Sequence, residues 1–272
     1  MSACLLTVLT AAPVLSGPAR SQPGKQNGIA AFETPRYFRA EGRAAGTADS
    51  DAAIREIDRQ IRANPRNAAA LQQRLQLYRG KGAPERALQD ADLLVKNAPK
   101  DAQVWRLRGE LLQELGRHDE AVDGFSRAIA LDGGRVESHY GRGVSLAAAH
   151  QCERAIRDFD VVINIKPDHA AAFNIRGACY AELGETRRSL QDFDQAILLD
   201  RRLAAAYLNR AAIYEATRRR DRALADYSEA IRLNPQDAYA LYSRGLILRA
   251  MGQPEGEADI RSAKTLEPGI AP

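Results

Sequence analysis

Residues 102–135, AQVWRLRGELLQELGRHDEAVDGFSRAIALDGGR, hold two apolar patterns of helical spacing with a glycine between them. Trp105, Gly109 and Leu112 fall at intervals of four and three residues, and so do Ala121, Phe125 and Ala128. That spacing puts each set on one face of a helix. Gly116 stands where the first helix must stop, because glycine enters the left-handed conformation that ends a helix at little cost. The segment reads as a helix, a turn, a helix and a stop.

Moving outward in either direction, the pattern returns every 34 residues, in rows beginning at Ala68, Ala102, Val136, Ala170, Ala204 and Ala238. The eighth column holds Leu75, Gly109, Gly143, Gly177, Ala211 and Gly245, and the twentieth holds Ala87, Ala121, Ala155, Ser189 and Ala223. Small residues at these two columns mark a point where two antiparallel helices approach closely. Larger residues flank it in the fourth column (Leu71, Trp105, His139, Phe173, Tyr207, Leu241), the eleventh (Tyr78, Leu112, Leu146, Tyr180, Tyr214, Leu248) and the twenty-fourth (Ala91, Phe125, Phe159, Phe193, Tyr227). Gly82, Gly116, Gly184 and Gly252 close first helices, and Pro65, Pro99, Pro167 and Pro235 close second ones, since proline cannot continue a helix.

The columns resemble those of the tetratricopeptide-repeat (TPR) family, over about residues 68–268. The resemblance implies an all-α, right-handed superhelical solenoid of helix-turn-helix hairpins, with the first helices lining a concave groove. It also implies a protein that binds other proteins and carries no catalysis of its own. The six repeats run 68–101, 102–135, 136–169, 170–203, 204–237 and 238–270. Residues 50–67 read as a half-repeat capping the stack, and residues 20–49 as a flexible linker. The last row is one residue short between Gly252 and Ala258, so Gly256 or Glu257 replaces the crossing alanine. A looser final hairpin is expected there, with an open end able to self-associate.

Composition agrees with this reading: 45% apolar, 27% charged and only 6% aromatic residues, rich in Ala, Leu and Arg, favour helix over strand. A net charge of +4 with interspersed signs provides no nucleic-acid face. Residues 1–15 lack charge and residues 5–15 are apolar, followed by small residues up to Ala19. This order predicts a signal peptide at 1–19 and an exported, periplasmic protein, with a cytoplasmic adaptor as the alternative. No span is expected in the mature chain, because no later stretch is long and apolar enough.

Arginine occupies the seventh column of every row (Arg74, Arg108, Arg142, Arg176, Arg210, Arg244), and aspartate recurs in step at Asp90, Asp158, Asp192, Asp226 and Asp259. Buried charge needs a partner, so the two columns are expected to pair between helices. His118, His139, His150 and His169 show no metal-ligand spacing, and nothing calls for a cofactor. Cys152 and Cys179 lie on helices that pack together and read either as buried free thiols or, after export, as a disulfide.

In the TPR family, ligands contact columns two, five, six, nine, twelve and thirteen. Here these supply Gln72, Gln76, Arg106 and Glu110 in the early rows. Tyr140, Val144, Asn174, Leu208, Asn209, Tyr239, Tyr242 and Leu246 follow in the later ones. The later set suits an extended peptide or an amphipathic helix, and some of its members read equally as packing between rows. The family's clamp for acidic chaperone tails requires groove lysines, and none of the six lysines lies on these columns. A scaffold or adaptor in envelope assembly is the expected function, and a regulatory subunit of an enzyme complex is the alternative.

Overall fold

The computed structural model describes residues 47–270; the expected signal peptide and most of the expected linker lie outside them. The described chain is an all-α solenoid of thirteen helices. A leading helix α1 (Thr47–Ala63) is followed by six hairpins: α2 (Ala68–Gly80) with α3 (Pro84–Asn97), α4 (Ala102–Glu114) with α5 (His118–Leu131), α6 (Val136–Ala148) with α7 (Cys152–Ile165), α8 (Ala170–Glu182) with α9 (Thr186–Leu199), α10 (Ala204–Ala216) with α11 (Arg220–Leu233), and α12 (Ala238–Ala250) with α13 (Glu255–Leu266). Each helix packs on its neighbours in sequence, and α4, α6, α8 and α10 also touch in succession. The leading helix starts at Thr47, inside the stretch expected to be linker, with Asp49 in its first turn where a negative charge favours the helix N-terminus.

Every first helix ends in the same way. The N–H donors of Ala83, Arg117, Gln151, Glu185, Arg219 and Gln253 reach back five residues to the carbonyls of Tyr78, Leu112, Leu146, Tyr180, Tyr214 and Leu248. This six-to-one bond needs a left-handed residue before the donor. Glycine fills that place at 82, 116, 184 and 252, whereas His150 and Arg218 adopt it at φ 56° and 60°.

Within each hairpin the crossing is set by volume exchange. A Cβ placed on Gly143 would come within 3.0 Å of the Phe159 ring, and one on Gly177 within 2.9 Å of Phe193. The glycine thus makes room for the aromatic side chain of the second helix. The first hairpin reverses the sizes, with Leu75 and Ala91 at the equivalent places, both fully buried. The last hairpin is not loosened by its missing residue. Gly256 takes over the crossing, and a Cβ there would lie 2.5 Å from the Arg249 nitrogen and 2.6 Å from the Gly245 carbonyl oxygen. Backbone meets backbone because both residues are glycine.

The arginine and aspartate columns pair as expected. Arg176 donates from Nε and Nη2 to both oxygens of Asp192, at 2.8 Å each, and Arg142 to Asp158 and Arg210 to Asp226 repeat the geometry. Arg74 and Arg244 make the same fork with Asp90 and Asp259. A further arm, absent from the sequence reading, reaches the helix that precedes the hairpin, which is α1 for Arg74 and the second helix of the preceding hairpin for the others. Nη1 of Arg74, Arg176 and Arg210 meets Asp58, Asp160 and Asp194 at 2.6 Å, and Nη1 of Arg142 and Arg244 meets Ser126 and Ser228. Each such arginine therefore ties three helices. The second hairpin departs: Gly124 replaces the aspartate, where a Cβ would lie 3.2 Å from the Gly109 backbone, and Arg108 turns to Asp92 of α3 instead. Hydrogen bonds to carboxylates push the guanidinium groups of Arg74, Arg176 and Arg210 further above their already high range.

The two arms differ in burial, since the Asp192 side chain is 9% exposed and that of Asp194 58%. Asp192→Ala should cost about 3 kcal/mol by leaving a partly buried guanidinium without its fork, and Asp194→Ala less than about 1 kcal/mol. Urea unfolding of the two variants checks this; equal costs would contradict it.

Candidate functional site

The concave face of the first repeats carries an open trough of about 820 Å³. Its walls come from α1 (Ile57), α2 (Gln72, Gln73, Gln76, Arg79) and α4 (Gln103, Arg106, Leu107, Glu110), among others. A smaller cavity of about 150 Å³ continues it towards α6 and α8, sharing Arg106 and Glu110 and adding Glu137, Tyr140, Gly141, Lys166 and His169 over a floor that includes Phe125 and Val136. Four of the expected groove residues, Gln72, Gln76, Arg106 and Glu110, are therefore gathered in one place, with Tyr140 at its end. Gln73 and Gln103, on the sixth and second columns of the family's contact set, line the trough as well, and His169 lines the cavity from a column outside that set.

Phe125 reaches the cavity floor because residue 141 is glycine: a Cβ there would sit 2.5 Å from the Phe125 ring. Tyr140 stands edge-on to Phe159 with ring centres 6.0 Å apart, and its other neighbour is the His169 ring at 4.7 Å. His169 caps α8, its Nδ1 accepting the Ala172 N–H at 3.2 Å. That bond fixes the proton on Nε2, and burial lowers the pKa of the ring below the usual imidazole range.

Charge in the trough is balanced locally. Arg106 pairs with Glu110 one turn along α4, and Arg79 pairs with Glu114 across hairpins. The Arg106 Nε is buried without a hydrogen-bond partner. Burial pushes the Glu110 carboxyl above the usual range, against the opposing pull of Arg106 and Arg79.

The later rows behave differently. Val144, Asn174, Leu208, Asn209 and Tyr242 are all less than 9% exposed. Consecutive first helices press together along this side, so these side chains fill the joint between repeats. Asn209 Nδ2 donates to Asn174 Oδ1 at 3.1 Å, and Gln113 Nε2 donates to the Gly141 carbonyl and Ser145 Oγ at 2.8 Å. Tyr239 joins the cluster around Tyr227, and Leu246 packs on Tyr242 and Ile260. Of the two readings open for the later rows, peptide surface or packing between rows, burial favours packing for Val144, Asn174, Leu208, Asn209 and Tyr242, while Tyr140 borders the cavity.

Cys152 and Cys179 are free buried thiols. Among the described residues no group of three or more His, Cys, Asp or Glu side chains is arranged to hold a metal ion, and no helix is long and apolar enough to cross a membrane.

The tetratricopeptide-repeat pattern matches residues 73–136, 134–207 and 204–237. The chain belongs to the TPR family. Among solved structures similar to it is a TPR protein from Parabacteroides merdae, 22% identical, with a TM-score of 0.67 over 81% of this chain and 88% of that one. PilW, a type IV pilus biogenesis factor, is 16% identical with a TM-score of 0.65 over 75% and 94%. YrrB, a TPR protein with an unusual peptide-binding site, is 17% identical with a TM-score of 0.50 over 66% and 93%. No curated protein matches the sequence.

The Glu110 shift gives a pH test. A carboxyl with a raised pKa in the folded state favours folding while protonated, and that contribution is lost as pH rises through the raised value. The stability of the wild type relative to Glu110→Gln should therefore fall between about pH 4 and pH 7. Urea midpoints of both proteins across this range check the slope, and a difference that grows in favour of the wild type would contradict it.

Proposed function

We propose that this TPR protein is a non-catalytic scaffold that holds an extended segment of a partner protein in the trough of its first two repeats. The observation that carries the reading is the run of amide side chains along that trough. Gln72, Gln73, Gln76 and Gln103 are exposed on one surface. Each amide offers both a donor and an acceptor, which matches the alternating groups of an extended backbone. Ile57, Val104 and Leu107 lie between them as apolar contact for alternate side chains. The small cavity beside Tyr140 takes an anchoring side chain of the same segment, with Arg106 in its wall.

The peptide-binding site of YrrB, a protein of similar fold, supports the choice of ligand class. Export to the envelope is part of the proposal. It is supported by the uncharged, apolar start of the sequence and by the similarity to a pilus biogenesis factor.

Peptides selected from a random display library against the full chain test the reading. They should lose about tenfold or more in affinity on the triple variant Gln72→Ala, Gln76→Ala, Gln103→Ala, and be indifferent to Arg218→Ala on a remote turn. Peptides that bind the triple variant as tightly as the wild type would move the site elsewhere.

A further inference from the structure

Cys152 and Cys179 take no part in the trough. The first opens α7 and the second lies in the last turns of α8, so they meet across the joint between the third and fourth hairpins, inside one core cluster with Leu146 and Phe159. They are 1% and 0% exposed. The neighbouring Cys152 thiol and burial together push the Cys179 thiol far above the ordinary thiol range.

Two polar groups connect this pair to solvent. Cys152 Sγ donates to Glu182 Oε2 at 3.4 Å, and the other carboxylate oxygen, Oε1, is 3.1 Å from His150 Nδ1. The His150 side chain is 73% exposed. A buried cysteine that merely fills space behaves as a small apolar side chain, and has no need of a carboxylate on its sulfur. Here thiol, thiol, carboxylate and imidazole stand in a line from the core to the surface.

We propose that Cys152 and Cys179 form an oxidisable dithiol that reacts with a small peroxide and closes to a disulfide joining the third and fourth hairpins. Cys152 passes its proton to Glu182, and its sulfur attacks one peroxide oxygen. The O–O bond breaks, the leaving oxygen takes from Glu182 the proton that Cys152 gave up and becomes water, and Cys152 is left as a sulfenic acid. The Cys179 sulfur then attacks the Cys152 sulfur. The S–O bond breaks, and the hydroxyl departs as water with the Cys179 proton. In sum, two thiols and one hydrogen peroxide give one disulfide and two waters.

The test is treatment of the reduced full chain with hydrogen peroxide in the native state, followed by alkylation and peptide mass mapping, with dimedone to trap sulfenic acid. A linked Cys152–Cys179 peptide is expected from the wild type. Cys179→Ser should accumulate the dimedone adduct on Cys152, and Cys152→Ser should leave Cys179 as a thiol. Glu182→Gln should form the link about tenfold more slowly at neutral pH and recover the wild-type rate at high pH, with unchanged circular dichroism. An adduct on Cys179 in Cys152→Ser, over-oxidation of Cys152 without a link, links through Cys4, or thiols that react only after denaturation would each overturn the proposal.

Discussion

Everything in this structure depends on how closely the two helices of each hairpin cross. An alanine or serine of the second helix, buried without exposure in the first five hairpins, lies against a glycine, alanine or leucine of the first. The side chain sixteen residues further on then fills whatever space is left. Where the first helix has glycine, as at Gly143 and Gly177, the second supplies phenylalanine. Where it has Leu75, the second supplies Ala91. Close-packed interiors tolerate exchanges that conserve volume and resist those that do not. The same crossing therefore survives different residues, and it does so again at the last hairpin with two glycines in backbone contact.

Crossing distance in turn fixes where the polar groups can reach. The seventh-column arginines stand one residue before the crossing, so each fork meets the aspartate beside it on the partner helix while the remaining nitrogen extends to the hairpin before. Each such arginine thus serves both the closure of its own hairpin and the stacking of that hairpin on its neighbour. On the concave side the first helices of the later repeats touch one another through Asn174, Asn209 and their apolar neighbours. In the first two repeats glutamines line the space, which stays open. One continuous stack thus carries a solvated trough at one end and closed joints along the rest.

The fold was legible in the sequence because crossing and turn residues recur in strict register, and a single out-of-place row would still be read from its neighbours. The arginine–aspartate forks were legible for the same reason. Their second arm was not: its column alternates Asp58, Asp92, Asp160 and Asp194 with Ser126 and Ser228, which has the look of a solvated helix face. The trough was half legible. Gln72, Gln76, Arg106 and Glu110 border one space, but Val144, Asn174, Leu208 and Tyr242 share their columns and are buried. What separates the two groups is the approach of one first helix to the next, a distance between rows that no pattern within a row encodes. The buried Asn–Asn pair is a signal in hindsight, since its partners stand 35 positions apart, one more than the repeat.

The volume exchange at the crossing is tested most directly by moving the first hairpin's solution into the fourth. Gly177→Leu alone should clash with Phe193, and Phe193→Ala alone should leave a cavity, each costing about 3 kcal/mol. The double variant reproduces the Leu75–Ala91 arrangement and should recover at least about 2 kcal/mol of the summed loss in a urea double-mutant cycle. Losses that simply add would contradict the account, because the two positions would then not be sharing one volume.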